Sequence, residues 1–442
     1  MTLPKLRDLS SLLTHAISQL EETCTKNGTS IPDLDAPFDL SSEAFREDPV
    51  AARAASIIGA AASHIGAIVN PPQHSLFEFD TSRAAALRVC LESNVVEILQ
   101  EAGSRGMHIN DIVAQNEQDP SKLGSCLRYM ATLHVFREVA PNVFVNNRIS
   151  SVLDTGKSVQ ELCTHPGKKH ENTPGLAALM GFHLDEGAKA LANLWEICSD
   201  STTAKSGEPS RSAFAKFVGH GKTLWEYFDD PEQDFRRRRF NIAMEGIQRL
   251  QPSDIMLSVY DWKTVPVGSV IVDVGGGLGT TQLSLARELP HIKIVIQDKP
   301  HVVEEGIKIW REKDPDALLS GRVSFEGTGT MSQRPQPQRD VSFFFLKQIM
   351  HDWSDEYCSK ILTQLRKAAS PTTKLLSMDT IIQHACYDQT SLVSDIPGAI
   401  PDEAPYPLLP NWGTVNSIGY CADMLSELLE TVFIYSPKAD GG

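Results

Sequence analysis

One histidine stands where an apolar run gives way to a helical pattern, in the segment FFFLKQIMHDWSDEYCSKIL at residues 343–362. The run predicts a buried strand, and Ser354 followed by Asp355 and Glu356 is typical of a capped helix N-terminus. In an open parallel sheet, ligands bind beyond the carboxyl ends of the strands. His351 is therefore predicted to face a ligand, where its ordinary pKa of about 6.5 suits proton transfer near neutral pH.

A carboxylate follows the next apolar strand, Asp379 in the segment KLLSMDTII. If it lies near the imidazole of His351, it would orient the ring and raise its basicity. An ordinary acidic residue in a strand-to-helix loop explains the same position equally well. Both interpretations stay open at this point.

A glycine-rich turn precedes these residues, in SVIVDVGGGLGTTQLSLARELPHIKIVIQD at residues 269–298. The pattern predicts a strand that contains Asp273, a turn from Gly275 to Gly279, a helix over about 281–289 and a second strand that ends at Asp298. Glycines let the backbone approach a ligand closely, and an acid about 20 residues further on can accept hydrogen bonds from ribose hydroxyls. The spacing fits neither the dinucleotide fingerprint nor a phosphate loop, so we expect a different nucleoside.

The elements that position these residues begin at about residue 268, where short apolar strands alternate with amphipathic helices. This alternation predicts a parallel α/β sheet. Upstream, residues 108–147 are interpreted as a short helix, a second helix and two short extended pieces, which is the order of a winged helix-turn-helix. The second helix offers only Lys122 and Arg128 for contact with DNA bases, which favours a packing or dimerisation module. We predict three regions: a helical, winged-helix-like domain (1–155), a helical connector with the substrate pocket (156–260) and an α/β domain (261–442).

The composition is that of a soluble globular protein, with 41% hydrophobic and 22% charged residues. A net charge of −15 argues against a nucleic-acid partner. The eight cysteines are scattered without a metal-binding pattern, and the N-terminus lacks the layout of a signal peptide. We therefore expect a cytoplasmic protein without a membrane segment.

Two further segments carry expectations about exposure. The basic run from Arg236 to Arg239 is interpreted as a solvated helix face that pairs with the neighbouring acids of EYFDDPEQD. The alanine-rich stretch at 50–70 predicts a helix that must bury most of its surface.

Two motifs together identify a family resemblance. VIVDVGGGLG followed by IQDKPHVVEEG resembles the S-adenosylmethionine loop of class I methyltransferases, and the segment around His351 is similar to that of the plant and fungal small-molecule O-methyltransferases. The likeness extends to the N-terminal module, to 181–195 and to 223–244. It implies a Rossmann-like catalytic domain preceded by a mainly helical winged-helix-type dimerisation domain, a homodimer and a small-molecule hydroxyl acceptor.

The resemblance also implies roles for individual residues. His351 would be the general base, with Asp379 at a position where the family usually has Glu. S-adenosylmethionine would be the co-substrate, and no metal would be needed. The residues implied in its binding are Gly275, Gly276 and Gly277 at the methionine end, Asp298 at the ribose, Lys347 beside the cofactor, and Gly329 and Thr330 in place of the usual acid and aromatic residue at the adenine.

The resemblance fades after residue 424. We expect the sheet to be short of its final strands, and the second carboxylate that flanks the histidine in the family has no clear counterpart, since Glu427 and Glu430 are poor substitutes. Two alternatives to methyl transfer therefore remain. One is a methyltransferase-fold enzyme that uses bound S-adenosylmethionine without consuming it, for a pericyclic or dehydration step, and the other is a catalytically degenerate partner subunit.

Overall fold

A computed structural model of the chain describes residues 2–219, 221–249, 255–328, 335–338, 340–387 and 402–430. The N-terminal region is helical and contains a small antiparallel sheet in the order β1-β3-β2. Its elements are Thr2–Asn27 (α1), Pro49–Val69 (α2), Pro72–Phe77 (α3), Ser82–Glu92 (α4), Val95–Ala102 (α5), Met107–His108 (β1), Ile109–Asn116 (α6), Pro120–Thr132 (α7), Phe136–Ala140 (β2), Val143–Asn146 (β3) and Arg148–Ser151 (α8). Helices α6 and α7 followed by the β2–β3 hairpin reproduce the predicted winged-helix order.

The middle of the chain consists of short helices and one longer one. These are Val159–Thr164 (α9), Leu176–Phe182 (α10), Ala188–Leu191 (α11), Leu194–Ser199 (α12), Ala213–Val218 (α13), Leu224–Phe228 (α14), Asp234–Arg249 (α15) and Ile255–Ser258 (α16). A π-helical segment, His183–Gly187, joins α10 to α11.

The basic run lies in α15, and its predicted exposure is only partly right. Arg237 and Arg238 pair with Asp234, one of the expected acids. Arg239 is 2% exposed and pairs instead with Asp185 and Glu186 of the π-helical segment. The prediction of a solvated face is therefore wrong for Arg239, because the helix turns this side chain towards α10 and α11.

The third region holds the predicted parallel sheet. Its elements are Val270–Val274 (β4), Leu283–Glu288 (α17), Lys293–Asp298 (β5), Pro300–Lys313 (α18), Pro315–Leu319 (α19), Val323–Gly327 (β6), Phe343–Lys347 (β7), Asp355–Ala368 (α20), Lys374–Met378 (β8) and Ser417–Glu430 (α21). The strand order is β6-β5-β4-β7-β8, and all neighbouring pairs are parallel. The chain moves outward from β4 to one side through β5 and β6 and to the other through β7 and β8. The switch point between β4 and β7 is where such sheets bind ligands.

Strands β4, β5 and β7 are buried on both faces of the sheet, and their alternate residues point to opposite sides. Ile271, Ile294 and Ile296 pack on one face around the fully buried Trp310 of α18. Val272 and Phe344 pack on the other face against α20. In the part of the chain that the structure describes, the sheet ends at β8, and residues 431–442, which bear on the expected loss of final strands, lie outside the described residues.

Helix α2 differs from expectation in its exposure. It packs along α1, and its buried side chains, including Ile57, form a small core with the downstream residues Leu408 and Trp412. Only 22% of its most apolar window is buried, so it does not bury most of its surface within one chain. Its length and composition also pass the criterion for a candidate membrane span, contrary to the expectation that no segment would, although one such helix is weak evidence of a membrane.

Candidate active site

The glycine turn follows β4 and is shaped by its neighbours. Gly275 and Gly277 have φ values of 73° and 57°, which other residues rarely adopt. A Cβ at Gly276 would lie 2.6 Å from Oδ2 of Asp273, so a side chain there would collide with that carboxylate. A Cβ at Gly277 would meet nothing within 4 Å, which leaves room for a ligand against the backbone of the turn.

Asp298 lies beside this turn at the end of β5. Its Oδ2 accepts a hydrogen bond of 2.8 Å from the backbone N–H of Gly277, and its Oδ1 accepts one of 2.7 Å from the N–H of Lys299. Burial raises the pKa of the carboxyl, while these two donors oppose the rise. Asp298, the residue predicted to bind the ribose, is thus held against the turn predicted to bind the cofactor. Its carboxylate oxygens keep lone pairs that can accept further hydrogen bonds.

Asp273 is a second acid at the turn, 3% exposed within β4. The Nε2 of Gln282 donates a hydrogen bond of 2.9 Å to its Oδ2. Burial raises the pKa of Asp273 to about 7, while this hydrogen bond and the charge of Lys347 act in the opposite direction. The carboxylate fixes the start of the turn.

Lys347 is the last residue of β7, the strand that neighbours β4. Its Nζ donates a hydrogen bond of 2.9 Å to the side chain of Gln348. Burial lowers the pKa of Lys347, and the charges of Asp273 and Asp379 counter that effect. Lys347 therefore interacts electrostatically both with Asp273 at the glycine turn and with Asp379 beside the candidate base.

His351 lies just beyond β7, in the short 3-10 turn Met350–Asp352. Its Nδ1 is 2.7 Å from Oδ1 of Asp379, the residue that follows β8. The strand register explains this contact. Lys347 of β7 pairs with Met378 of β8, so the two strands end at the same level of the sheet. Burial disfavours the imidazolium, but Asp352 and Asp379 outweigh it and raise the pKa of His351.

Ser354 occupies the N-cap of α20 but makes no capping bond, contrary to expectation. Its hydroxyl is buried, finds no hydrogen-bond partner among the described residues and is packed against the backbone position of Gly207. The contact with the 199–212 loop turns the side chain away from the helix end.

Sequence reasoning missed Asp352. Its Oδ1 lies 3.4 Å from Nε2 of His351, on the side of the ring away from Asp379. Burial raises the pKa of Asp352 to about 6. Its position directly after the candidate base was the only available signal.

Two groups of expected residues lie outside what the structure describes. Gly329 and Thr330, expected near the adenine, are outside the described residues. The side chains of Glu427 and Glu430 are not described either. Within the described ranges, no group of three or more His, Cys, Asp or Glu side chains is arranged to hold a metal ion.

Comparison with known proteins places this geometry in a family. Residues 198–395 match the O-methyltransferase domain family. The chain is similar to 4-O-methyltransferase 1 of Phanerochaete chrysosporium, with 44% identity over 96% of this chain and 90% of that protein. The chain is a member of the O-methyltransferase family. It is accordingly an S-adenosylmethionine-dependent enzyme.

Two solved structures have a fold similar to that of this O-methyltransferase. Mitomycin 7-O-methyltransferase MmcR is 20% identical over 72% of this chain and 82% of its own, with a TM-score of 0.56. A structure described as a pericyclic reaction enzyme is 17% identical over 85% of this chain and 84% of its own, with a TM-score of 0.59. At these identities the likeness concerns the fold alone.

The O-methyltransferase residues fit the co-substrate at the turn. The open side of Gly277 and the carboxylate of Asp298 offer a backbone surface and ribose acceptors. When bound, the co-substrate would supply a methyl group on a positively charged sulfur, and the acidic residues Asp273 and Asp379 interact with Lys347 at this edge of the sheet.

Proposed function

We propose that this enzyme methylates a phenolic or enolic hydroxyl of a secondary metabolite, with His351 as general base oriented by Asp379. The observation that carries the proposal is the 2.7 Å contact between Nδ1 of His351 and Oδ1 of Asp379, at the end of the sheet that holds the glycine turn. The names of fungal relatives, such as sterigmatocystin 8-O-methyltransferase from Aspergillus parasiticus, support an acceptor of this class.

The proton chemistry follows from the ring's surroundings. When Nδ1–H donates to Asp379, the lone pair of Nε2 is free to accept a proton from the acceptor hydroxyl. A phenol has a pKa of about 10, so complete removal of its proton by an imidazole of pKa about 6.5 would cost on the order of 5 kcal/mol. The raised pKa of His351 reduces this cost. The proton therefore leaves as the oxygen reacts, and the enzyme mainly aligns the two substrates.

The test is transfer of a labelled methyl group. With S-adenosylmethionine labelled at the methyl carbon, we expect label in the acceptor and release of an equal amount of S-adenosylhomocysteine, measured by mass spectrometry. A reaction that alters a substrate without moving label would contradict methyl transfer. It would support the non-consuming pericyclic or dehydration alternative, for which the cation of Lys347 near the candidate base is the favouring observation.

Replacement of Asp298 by alanine is expected to weaken S-adenosylmethionine binding by roughly 10- to 100-fold, because hydrogen bonds to a charged group are worth about 1.5–3 kcal/mol. Calorimetric titration measures this change. The matched control is Asp316→Ala, which removes an exposed acid at the start of α19. Equal affinities in Asp298→Ala and the control would show that this acid does not bind the ribose.

We also propose that two chains associate through the N-terminal helices. Helix α2 leaves much of its apolar surface uncovered, with Val50 45% and Val69 60% exposed, and Leu76 and Phe77 of the following helix α3 are 72% and 74% exposed. Light scattering coupled to size exclusion is expected to give twice the mass of the 442-residue chain. A single-chain mass at micromolar concentration would contradict the proposal.

A further inference from the structure

One stripe of side chains on helix α15 faces the α/β domain. Arg237 and Asn241 each donate a hydrogen bond of 2.9 Å to the carboxylate of Glu305 in α18. Further along α15, Oε1 of Gln248 accepts a hydrogen bond of 2.9 Å from the hydroxyl of Thr280. Residues that are three, four or seven apart share one face of a helix, so these positions of α15 form a single stripe.

Both contacts of this stripe lie beside the glycine turn. Thr280 directly follows Gly279, the last glycine of the turn. Glu305 precedes Gly306, where a Cβ would lie 3.1 Å from the carbonyl oxygen of Leu278. The stripe of α15 therefore borders the turn at which the co-substrate is expected.

Glu245 belongs to the same stripe, four residues after Asn241 and three before Gln248. Its Oε1 is buried and finds no hydrogen-bond partner among the described residues. A buried carboxylate oxygen without a donor is costly, so a ligand that supplies a donor is favoured there. The amide of Gln248 is complementary, because its oxygen is bound by Thr280 while its Nε2 keeps donors for a further acceptor.

The glycines of the turn have already used their backbone donors. The N–H groups of Gly275 and Gly276 donate to the carbonyl oxygen of Gln297, at 2.8 and 3.0 Å. The N–H of Gly277 donates to Asp298. A ligand carboxylate at the turn must therefore receive hydrogen bonds from groups other than these three.

We propose that Glu245 and Gln248 bind the amino-acid end of S-adenosylmethionine, with Glu245 accepting a hydrogen bond from its ammonium group and Nε2 of Gln248 donating to its carboxylate. The glycines make room for this end of the ligand, and α15 supplies the groups that hold it. Both contacts involve a charged partner, which makes them stronger than hydrogen bonds between neutral groups. The inference goes beyond the proposed function, because it concerns the co-substrate and requires nothing of His351.

The experiment is calorimetric titration with three nucleosides that differ in this end alone. S-adenosylhomocysteine carries the ammonium and the carboxylate, decarboxylated S-adenosylhomocysteine keeps only the ammonium, and methylthioadenosine has neither. The wild-type affinity is expected to fall in this order by roughly tenfold or more at each step, since hydrogen bonds to charged groups are worth about 1.5–3 kcal/mol. In Glu245→Gln the first two ligands should bind roughly tenfold or more weakly, and methylthioadenosine should bind within about twofold of the wild type. In Gln248→Met only S-adenosylhomocysteine should lose affinity.

The matched control is Glu232→Gln, the same change at an exposed acid just before α15, and it is expected to keep all three affinities. Retained binding of methylthioadenosine shows that a variant is folded. A wild-type protein that binds the decarboxylated ligand no better than methylthioadenosine overturns the inference without any variant. An unchanged affinity for S-adenosylhomocysteine in Glu245→Gln also overturns it, and so does an equal loss on all three ligands, because Glu245 would then only shape the turn. The expected affinities without transfer of a labelled methyl group would overturn the proposed function alone.

Discussion

Replacement of His351 by alanine is expected to lower kcat by roughly 10²- to 10⁴-fold, which is the usual contribution of a positioned general base. The affinity for S-adenosylmethionine should change by less than about threefold, because the residues that fit this ligand lie at the glycine turn and at Asp298. Single-turnover methyl transfer and calorimetric titration measure the two effects separately. The decisive result is a large loss of kcat at an unchanged affinity for S-adenosylmethionine, since a misfolded variant would lose both.

The pH profile gives an independent test of the same role. A base must be neutral to accept a proton, so kcat/KM should fall as the pH drops through the pKa of His351. The carboxylates outweigh burial and raise this pKa, so the acid limb should lie above the ordinary value of about 6.5. Asp379→Asn removes one carboxylate charge and should move the limb to lower pH, with a lower rate because the ring loses its orienting acceptor.

The control for both measurements is His165→Ala, which removes an exposed histidine at the end of α9. It is expected to retain wild-type turnover and the wild-type acid limb. Two results would exclude His351 as the base. One is a variant at position 351 that keeps more than a tenth of the wild-type kcat, and the other is an acid limb that persists after its removal.

The sequence predicted those parts of the candidate site that depend on where individual strands end. The run from Phe343 to Lys347 and the glycine turn after Val274 both had the pattern of a strand followed by a ligand-binding loop, and in the structure β4 and β7 are neighbouring parallel strands. The choice between two interpretations of Asp379 depended on register. Pairing of Lys347 with Met378 brings it to His351, and no local pattern encodes which strands become neighbours.

What the sequence could not show is the burial of charge. The segment HLDEG resembles the polar surface of a helix, yet its π-helical turn buries both Asp185 and Glu186, which are 3% and 1% exposed. The matching cation, Arg239, belongs to a run of four arginines that look alike in the sequence. The partners are more than 50 residues apart, so only the packing of α10 against α15 distinguishes them.

Replacement of Arg239 by methionine is expected to lower the free energy of unfolding by about 3–5 kcal/mol, because the buried carboxylate of Glu186 loses its buried cation and keeps the more distant, partly exposed Arg236. Arg239 pairs with Asp185 at 3.1 Å and with Glu186. Methionine keeps much of the apolar volume, so the loss reports the charge rather than a cavity. Chemical denaturation at pH 7 measures it. The control is Arg238→Met on the same helix, whose ion pairs are about one-third exposed or more, and it should cost at most about 1 kcal/mol.

The pH dependence separates the two carboxylates. Burial opposes ionisation of Asp185, but its cationic neighbours outweigh it and lower its pKa to about 2, so its contribution to stability is present above an unfolded value of about 3.8 and is lost only as the pH falls towards 2. Burial raises the pKa of Glu186, so protonation of this group favours the folded state and its ionisation costs stability as the pH rises.

Without Arg239, the free-energy cost of ionising Glu186 in the folded protein is larger. The destabilisation in Arg239→Met should therefore be smaller at pH 5 than at pH 7, and the double variant Arg239→Met with Glu186→Gln should recover part of it because no anion is left at position 186. A pH-independent loss with no recovery in the double variant would show that Arg239 stabilises the fold by packing alone.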